Sequence, residues 1–255
     1  MATTAILSAL EQEQAGLIAH LAQPRQVQRG GRAFWVGHLH GLPMVLALSR
    51  IGKVAAATTA TTLIEAFGAE QIVFTGVAGG LGPQVQVGDV VVASDFVQHD
   101  MDASPLFPRF EIPLYQRTRF ACDARLTGLL EQASRDAMRD MPPVGGIGRE
   151  PAAPVVHRGL IASGDRFIAT AQSSHQVRDA LRAQAMEALA IEMEGAAVAQ
   201  VCHDYGVGFA AVRTVSDRAD DTAHVDFQQF IDDVAAIYAR RIMDRFLQAL
   251  SAAAR

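Results

Sequence analysis

Short apolar runs alternate with amphipathic stretches along nearly the whole chain of 255 residues. "TAILSA" (4–9) reads as a buried strand, and "EQEQAGLIAHLA" (11–22) has apolar positions at helical spacing. "AFWVGHL" and "PMVLALS" flank the turn "HGLP" and read as a hairpin. "KVAAATTATTLIEAF" predicts a helix stopped by Gly68. "QIVFTGVAGGLG" predicts a strand breaking into a glycine-rich turn, and "GDVVVASDFVQHD" predicts another strand. A Pro- and Phe-rich loop, "ASPLFPRFEIPLY", precedes the helix "DARLTGLLEQASRDAM". Residues 142–154, "PPVGGIGREPAAP", read as a solvent-exposed excursion. Strands return at "VHRGLIASGD", "ALAIEME" and "VGFAAVRTVSD", with helices between them and a closing helix near "FIDDVAAIYARRIMDRFLQAL". There is no internal repeat, so the pattern predicts one α/β domain over 1–255 with a partly parallel sheet covered on both faces.

Composition narrows the class. Half of the residues are hydrophobic, enough for a sizeable core, and the formal charge is −5. That charge argues against a nucleic-acid or anionic-membrane partner. Arginine carries most of the positive charge and lysine is nearly absent. Two cysteines, Cys122 and Cys202, make neither a disulfide framework nor a zinc pattern. The opening "MATTAILSALEQEQ" turns acidic where the apolar part of a secretion signal should continue, and no apolar run has transmembrane length. The expectation is a soluble cytoplasmic protein.

Ligands of such sheets gather at the carboxyl ends of strands. Four strand exits carry chemistry: "LSALEQE", "TGVAGG", "AIEMEG" and "RTVSDRAD". Glu192 and Glu194 stand one residue apart inside a run of small apolar residues, where an unpartnered carboxylate costs several kcal/mol or more. Asp217 directly follows an apolar strand, a place for a buried general acid or for a simple cap. Glu13 reads equally as first-turn helix charge. The glycines of "TGVAGGLG" have the wrong spacing for a dinucleotide or P-loop motif and indicate close backbone approach. "QHDMD" (His99, Asp100, Asp102) reads as polar loop contacts rather than a metal site, His203 as a helix residue, and Arg218, Asp220 and Asp221 as solvated charge.

Taken in order, "ILSALEQE", "SRIGKVAAA", "TGVAGGL", "VGDVVV", "HDMD", "GLIASGDRFI", "IEMEGAAVAQVCH" and "VRTVSDRADDTAHVDFQQF" resemble the methylthioadenosine/S-adenosylhomocysteine nucleosidases of the purine nucleoside phosphorylase-like family. The resemblance implies a three-layer α/β/α sandwich around a mixed, twisted sheet, a homodimer, no cofactor and no metal. It implies an adenine nucleoside as the small-molecule partner and hydrolysis of its N-ribosidic bond. Asp217 matches the acid that protonates adenine N7, Glu13 the base that activates water, and Glu194 the acceptor of the ribose hydroxyls. Phe167 matches the ring stacked on adenine, with the Ile168 backbone reading its edge. Met193, Ile51 and Phe227 match the apolar wall around ribose and the 5′ group. Ala78, Gly79 and Ser216 belong to the same site, Glu192 to a supporting network, and Arg213 is implied to position the water with Glu13. Leu106 matches a residue reaching into the neighbouring subunit's pocket. An aspartate at position 217 also favours adenine over 6-oxopurines, because it can donate to N7 and accept from the exocyclic amine.

Two departures bear on the 5′ substituent and the water. Val77 stands where many relatives have a serine that helps hold the water, and Arg50 replaces a glycine. Other readings are phosphorolysis, hydrolysis of another 5′-modified nucleoside such as futalosine, and adenine-nucleoside binding without turnover. Phosphorolysis is opposed by Glu13, a negative charge where phosphate would approach. Mere binding would not need a base.

Overall fold

The computed structural model describes residues 2–143, 152–230 and 234–253. Most of the 142–154 excursion and the start of the expected closing helix therefore lie outside the described residues. The sheet consists of β1 (Thr4–Ser8), β2 (Ala22–Arg29), β3 (Arg32–Leu39), β4 (Leu42–Leu48), β5 (Gln71–Gly80), β6 (Val90–Gln98), β7 (Arg119–Ala121), β8 (Val156–Ser163), β9 (Ala188–Glu192) and β10 (Gly208–Asp217). The helices are α1 (Glu11–Ile18), α2 (Lys53–Phe67), α3 (Ala124–Met138), α4 (Ala171–Arg182), α5 (Gly195–Tyr205), α6 (Ala223–Phe230) and α7 (Ala236–Ala253).

The sheet is mixed, in the order β10-β6-β8-β9-β5-β1-β4-β3-β2, with β7 beside β6. One end of it closes. β10 pairs with β6 in antiparallel and with β5 in parallel, so β5, β9, β8, β6 and β10 form a ring. β5 can do this because it is long. Its first half pairs with β1 and its last two residues with β9, while β10 runs along the opposite edge.

Both sheet faces are apolar, as parallel strands between helix layers require. On β1, Ile6 joins a core with Leu17 of α1, Leu130 of α3 and Phe246 of α7, whereas Ala5 and Leu7 face a core with Leu63 of α2 and Val198 of α5. The three-layer arrangement around a mixed sheet is thus the observed one. α2 ends at Gly68 in a left-handed C-cap, and His40–Gly41, both with positive φ, make the tight turn between β3 and β4.

Three expectations are corrected. The first helix stops at Ile18, and the chain turns into β2, an edge strand that is almost wholly exposed. β2 has no apolar alternation to signal it, and Pro24 sits at its register shift, where an edge strand tolerates proline. The glycines of "TGVAGG" do not form a turn but remain inside β5 through Gly80. A separate helix, α6, precedes the closing one.

Candidate active site

Two buried carboxylates, Glu194 and Asp217, line one cavity, and a third, Glu13, lies behind its wall. Glu13 is the third residue of α1, and its Oε2 accepts from the amides of Ala9 and Leu10, both at 3.1 Å. It thereby supplies the reaching-back half of a capping box. At 1% exposure, desolvation dominates, and its pKa rises from 4.5 to about 7 despite those bonds and the nearby Arg213. Glu194 lies where β9 gives way to α5, and its Oε1 accepts from the Gly52 amide at 2.8 Å. Burial, and then the neighbouring Glu192, push it to about 7 as well.

Asp217 ends β10 at 2% exposure. Its Oδ1 accepts from the Ala219 amide and its Oδ2 from the Ser216 hydroxyl, each at 2.8 Å. The strand beside it explains the glycines: a Cβ on Gly79 would lie 2.9 Å from Asp217 Oδ1, and one on Gly76 would lie 3.5 Å from the Arg213 guanidinium carbon. A side chain on Gly79 would displace the acid, whereas one on Gly76 would only touch the arginine. The close approach read from the sequence is real, although it is made by a strand.

Glu192 and Glu194 have different surroundings. Glu192 Oε2 accepts from Arg213 Nη2 at 2.8 Å, and both its oxygens accept from the Gly195 amide at 2.9 Å. The Ser163 hydroxyl donates to Oε1. Arg213, fully buried, also donates to the carbonyls of Phe74 and Val212 and stacks 4.0 Å above the Phe74 ring. A buried ion pair with this many hydrogen bonds is a structural anchor at the start of α5.

The cavity these groups surround holds about 420 Å³ and is lined by Ala9, Leu10, Ile51, Val77, Ala78, Gly79, Arg166, Phe167, Ile168, Ile191, Glu192, Met193, Glu194, Ser216, Asp217, His224 and Phe227. That is ample for a small organic ligand, since such sites span roughly 300–1,000 Å³. Phe167 and Phe227 meet edge to face, 5.8 Å between centroids. Of the residues singled out in the sequence, Ile51, Val77, Ala78, Gly79, Phe167, Ile168, Glu192, Met193, Glu194, Ser216, Asp217 and Phe227 line this space. Glu13 and Arg213 are not among its walls. Leu106 is not either, and stands 84% exposed in the loop after β6. Leu10, Arg166 and His224 line the cavity without having been singled out, although "SGDRFI" and "DTAHVDF" had drawn attention to their neighbours.

Other expectations need adjustment. Arg50 turns its guanidinium to the Gly31 carbonyl and does not line the cavity. Its φ of 60° is one that a glycine would adopt without cost. Arg218 is half-buried and donates to the Gly82 carbonyl, and Asp220 accepts from the Thr222 amide and hydroxyl, so neither is simply solvated. Asp102 accepts from the Ser104 amide. Among the described residues, no cluster of three or more His, Cys, Asp or Glu side chains could hold a metal ion. A second cleft of about 410 Å³, between α1, the His40 turn and α7, is lined by one carboxylate, Asp244, and that is bound to His40 at 2.7 Å. It lacks the converging acids of the first.

A mixed sheet between helix layers, with buried carboxylates at strand ends, describes the class of fold, and the chain belongs to the phosphorylase superfamily, whose family model matches residues 3–248. Within that superfamily, its curated relatives include the 5′-methylthioadenosine/S-adenosylhomocysteine nucleosidase of Chromohalobacter salexigens, 34% identical over 99% of this chain and all of the relative. The crystal structure of the Neisseria meningitidis nucleosidase of the same name, in complex with methylthio-immucillin-A, superposes with a TM-score of 0.85 at 34% identity and covers 98% of this chain and 100% of that one. The futalosine hydrolase of Helicobacter pylori is also similar, with a TM-score of 0.84 at 29% identity over 97% of this chain and 98% of that one.

Proposed function

We propose that this chain hydrolyses the N-ribosidic bond of 5′-methylthioadenosine, S-adenosylhomocysteine or a related 5′-modified adenine nucleoside and releases adenine. The observation that carries this reading is a largely apolar and aromatic cavity lined by Glu194 and Asp217, with Glu13 buried behind the wall that Ala9 and Leu10 form. In the reaction, C1′–N9 breaks and C1′–O forms. Asp217 gives its proton to N7, so that adenine leaves neutral. Glu13, once ionised, takes a proton from the attacking water. Glu194 accepts from the ribose hydroxyls and faces the positive charge that builds on the sugar, an electrostatic gain of the kind that dominates many enzymes. Arg213 is committed to Glu192 and backbone carbonyls, so its part is to favour ionised Glu13 by its charge. Phe167 stacks on the base, Ile168 reads its edge, and Ile51, Met193 and Phe227 hold the sugar and 5′ group.

The working form we propose is a cytoplasmic homodimer in methionine salvage, folded as one domain, with Leu106 completing the partner's pocket. Exposed Ile51, Val54, Leu106 and Leu114 support an apolar interface. Among the described residues no helix is long and apolar enough to cross a membrane.

Purified protein incubated with methylthioadenosine, S-adenosylhomocysteine, 5′-deoxyadenosine, futalosine and inosine, with and without phosphate, tests the reading by chromatography. Free adenine and a free pentose, independent of phosphate, are expected from the first two. A pentose 1-phosphate would replace hydrolysis by phosphorolysis. Turnover of futalosine alone would move the substrate to that class, which the likeness to futalosine hydrolase favours as the second reading. No base released from any nucleoside would leave only binding.

A further inference from the structure

Lys53 is the single lysine among the 22 lysines and arginines of the chain. Where arginine serves every other cationic position, one retained ammonium marks a place where a compact point charge fits and a planar fork does not. Its surroundings show the fit. Lys53 Nζ donates to Asp100 Oδ1 at 2.6 Å and to Gln98 Oε1 at 3.0 Å, with only 16% of its side chain exposed. Asp100 Oδ2 accepts from the Asp165 amide at 2.8 Å, and Asp165 Oδ1 accepts from the Lys53 amide at 2.7 Å. The circuit joins the exit of β6, the exit of β8 and the first residue of α2. One residue earlier, the Gly52 amide donates to Glu194 at 2.8 Å, and two residues beyond Asp165 stands Phe167.

We propose that Lys53 is a positioning residue: through Asp100 and Asp165 it clamps the turn before α2 to the loop after β8, holding the Gly52 amide on Glu194 and Phe167 over the cavity. The role rests on the nucleosidase reading of Glu194 and Phe167. The ion pair closes through two backbone amides next to residues that line the cavity. Arginine cannot substitute. Its donors are spread over a plane, while here one nitrogen serves two acceptors in a half-buried space.

The test compares Lys53→Met, Lys53→Arg and Asp100→Asn with the wild type. A misplacement of about 1 Å at a site costs roughly 10²-fold in rate, so kcat/KM for methylthioadenosine is expected to fall by about 30- to 300-fold in all three. The acid limb of the pH profile should move to higher pH, because a loosened Gly52 amide no longer favours the charged form of Glu194. Hydrogen exchange at the amides of Gly52, Lys53 and Asp165 should quicken at least about tenfold, with far-ultraviolet circular dichroism unchanged. An arginine variant within threefold of wild type with an unmoved pH limb would overturn the proposal, as would unchanged exchange at those amides. Should Lys53→Met fail to fold, Asp100→Asn carries the same test with the lysine in place. A wild type that releases no adenine would sink the nucleosidase reading, and exchange would still decide whether the clamp exists.

Discussion

Each of the three carboxylates is held by a different set of donors, so substitutions at them have separable outcomes. Asp217 is oriented through both oxygens by Ser216 and Ala219. Asp217→Asn keeps the shape and removes the transferable proton, so adenine release is expected to fall by about 10²–10⁴-fold with little change in melting temperature. Retained activity would misassign the acid. Gly79→Ala should produce a similar loss without touching the acid itself, since its Cβ would stand 2.9 Å from Asp217 Oδ1 and turn the carboxyl aside. Glu192 behaves differently. Replacing it with alanine leaves Arg213 charged and buried among carbonyls, and breaking such a pair costs about 3–5 kcal/mol, which thermal unfolding would register. A Glu192→Ala protein as stable as wild type would show that Arg213 finds another partner.

At the scale of the element, α1 matters because its first turn buries a carboxylate. Glu13 is raised from 4.5 in water to about 7 in the folded protein by desolvation. The folded state therefore keeps a proton that the unfolded chain releases. The associated stability is full below about pH 4.5 and is lost as the pH rises through about 7. Glu13→Gln removes this dependence. Relative to wild type, that variant should gain melting temperature between pH 5 and pH 8, and a constant difference across the range would exclude a buried, proton-holding Glu13. For catalysis the sign is opposite, because the base must be ionised, so kcat/KM is expected to climb as pH rises through about 7. Legibility in the sequence also varies by element. β1, β6, β8, β9 and β10 are readable as apolar runs because their side chains are buried on both faces. β2 is not, because a solvated edge strand carries no pattern, although the Gly30–Gly31 pair before β3 signals its hairpin. The sequence does not separate the end of β5 from a turn, because a glycine that makes room for Asp217 looks the same as one that makes a turn. Of the cavity, the strand-borne carboxylates were legible as charges misplaced in apolar runs. Arg166 and His224 were not, being polar residues in polar stretches that only the fold brings to the cavity.

For the molecule as a whole, the exposed apolar side chains at the start of α2 and in the loop after β6 argue for a partner copy. Sedimentation equilibrium should give a dimer, and Leu106→Asp should weaken both association and turnover; a fully active monomer would remove the proposed exchange of Leu106 between pockets. The closed ring of strands carries a different consequence. Gly79 is paired through the backbone to Asp217 on one side and to Ile191, the residue before Glu192, on the other. Two strands far apart in the chain thus meet on one residue of a third. Such long-range pairings form slowly, because the loop-closure cost comes before their reward. A chain in which β10 has yet to dock on β5 has no acid above the cavity, however much helix it has gained. Recovery of activity during refolding should therefore lag the return of secondary structure and coincide with the last step of chain closure. Asp217 and the end of β9 that leads to Glu194 are thus both tied to the backbone of Gly79.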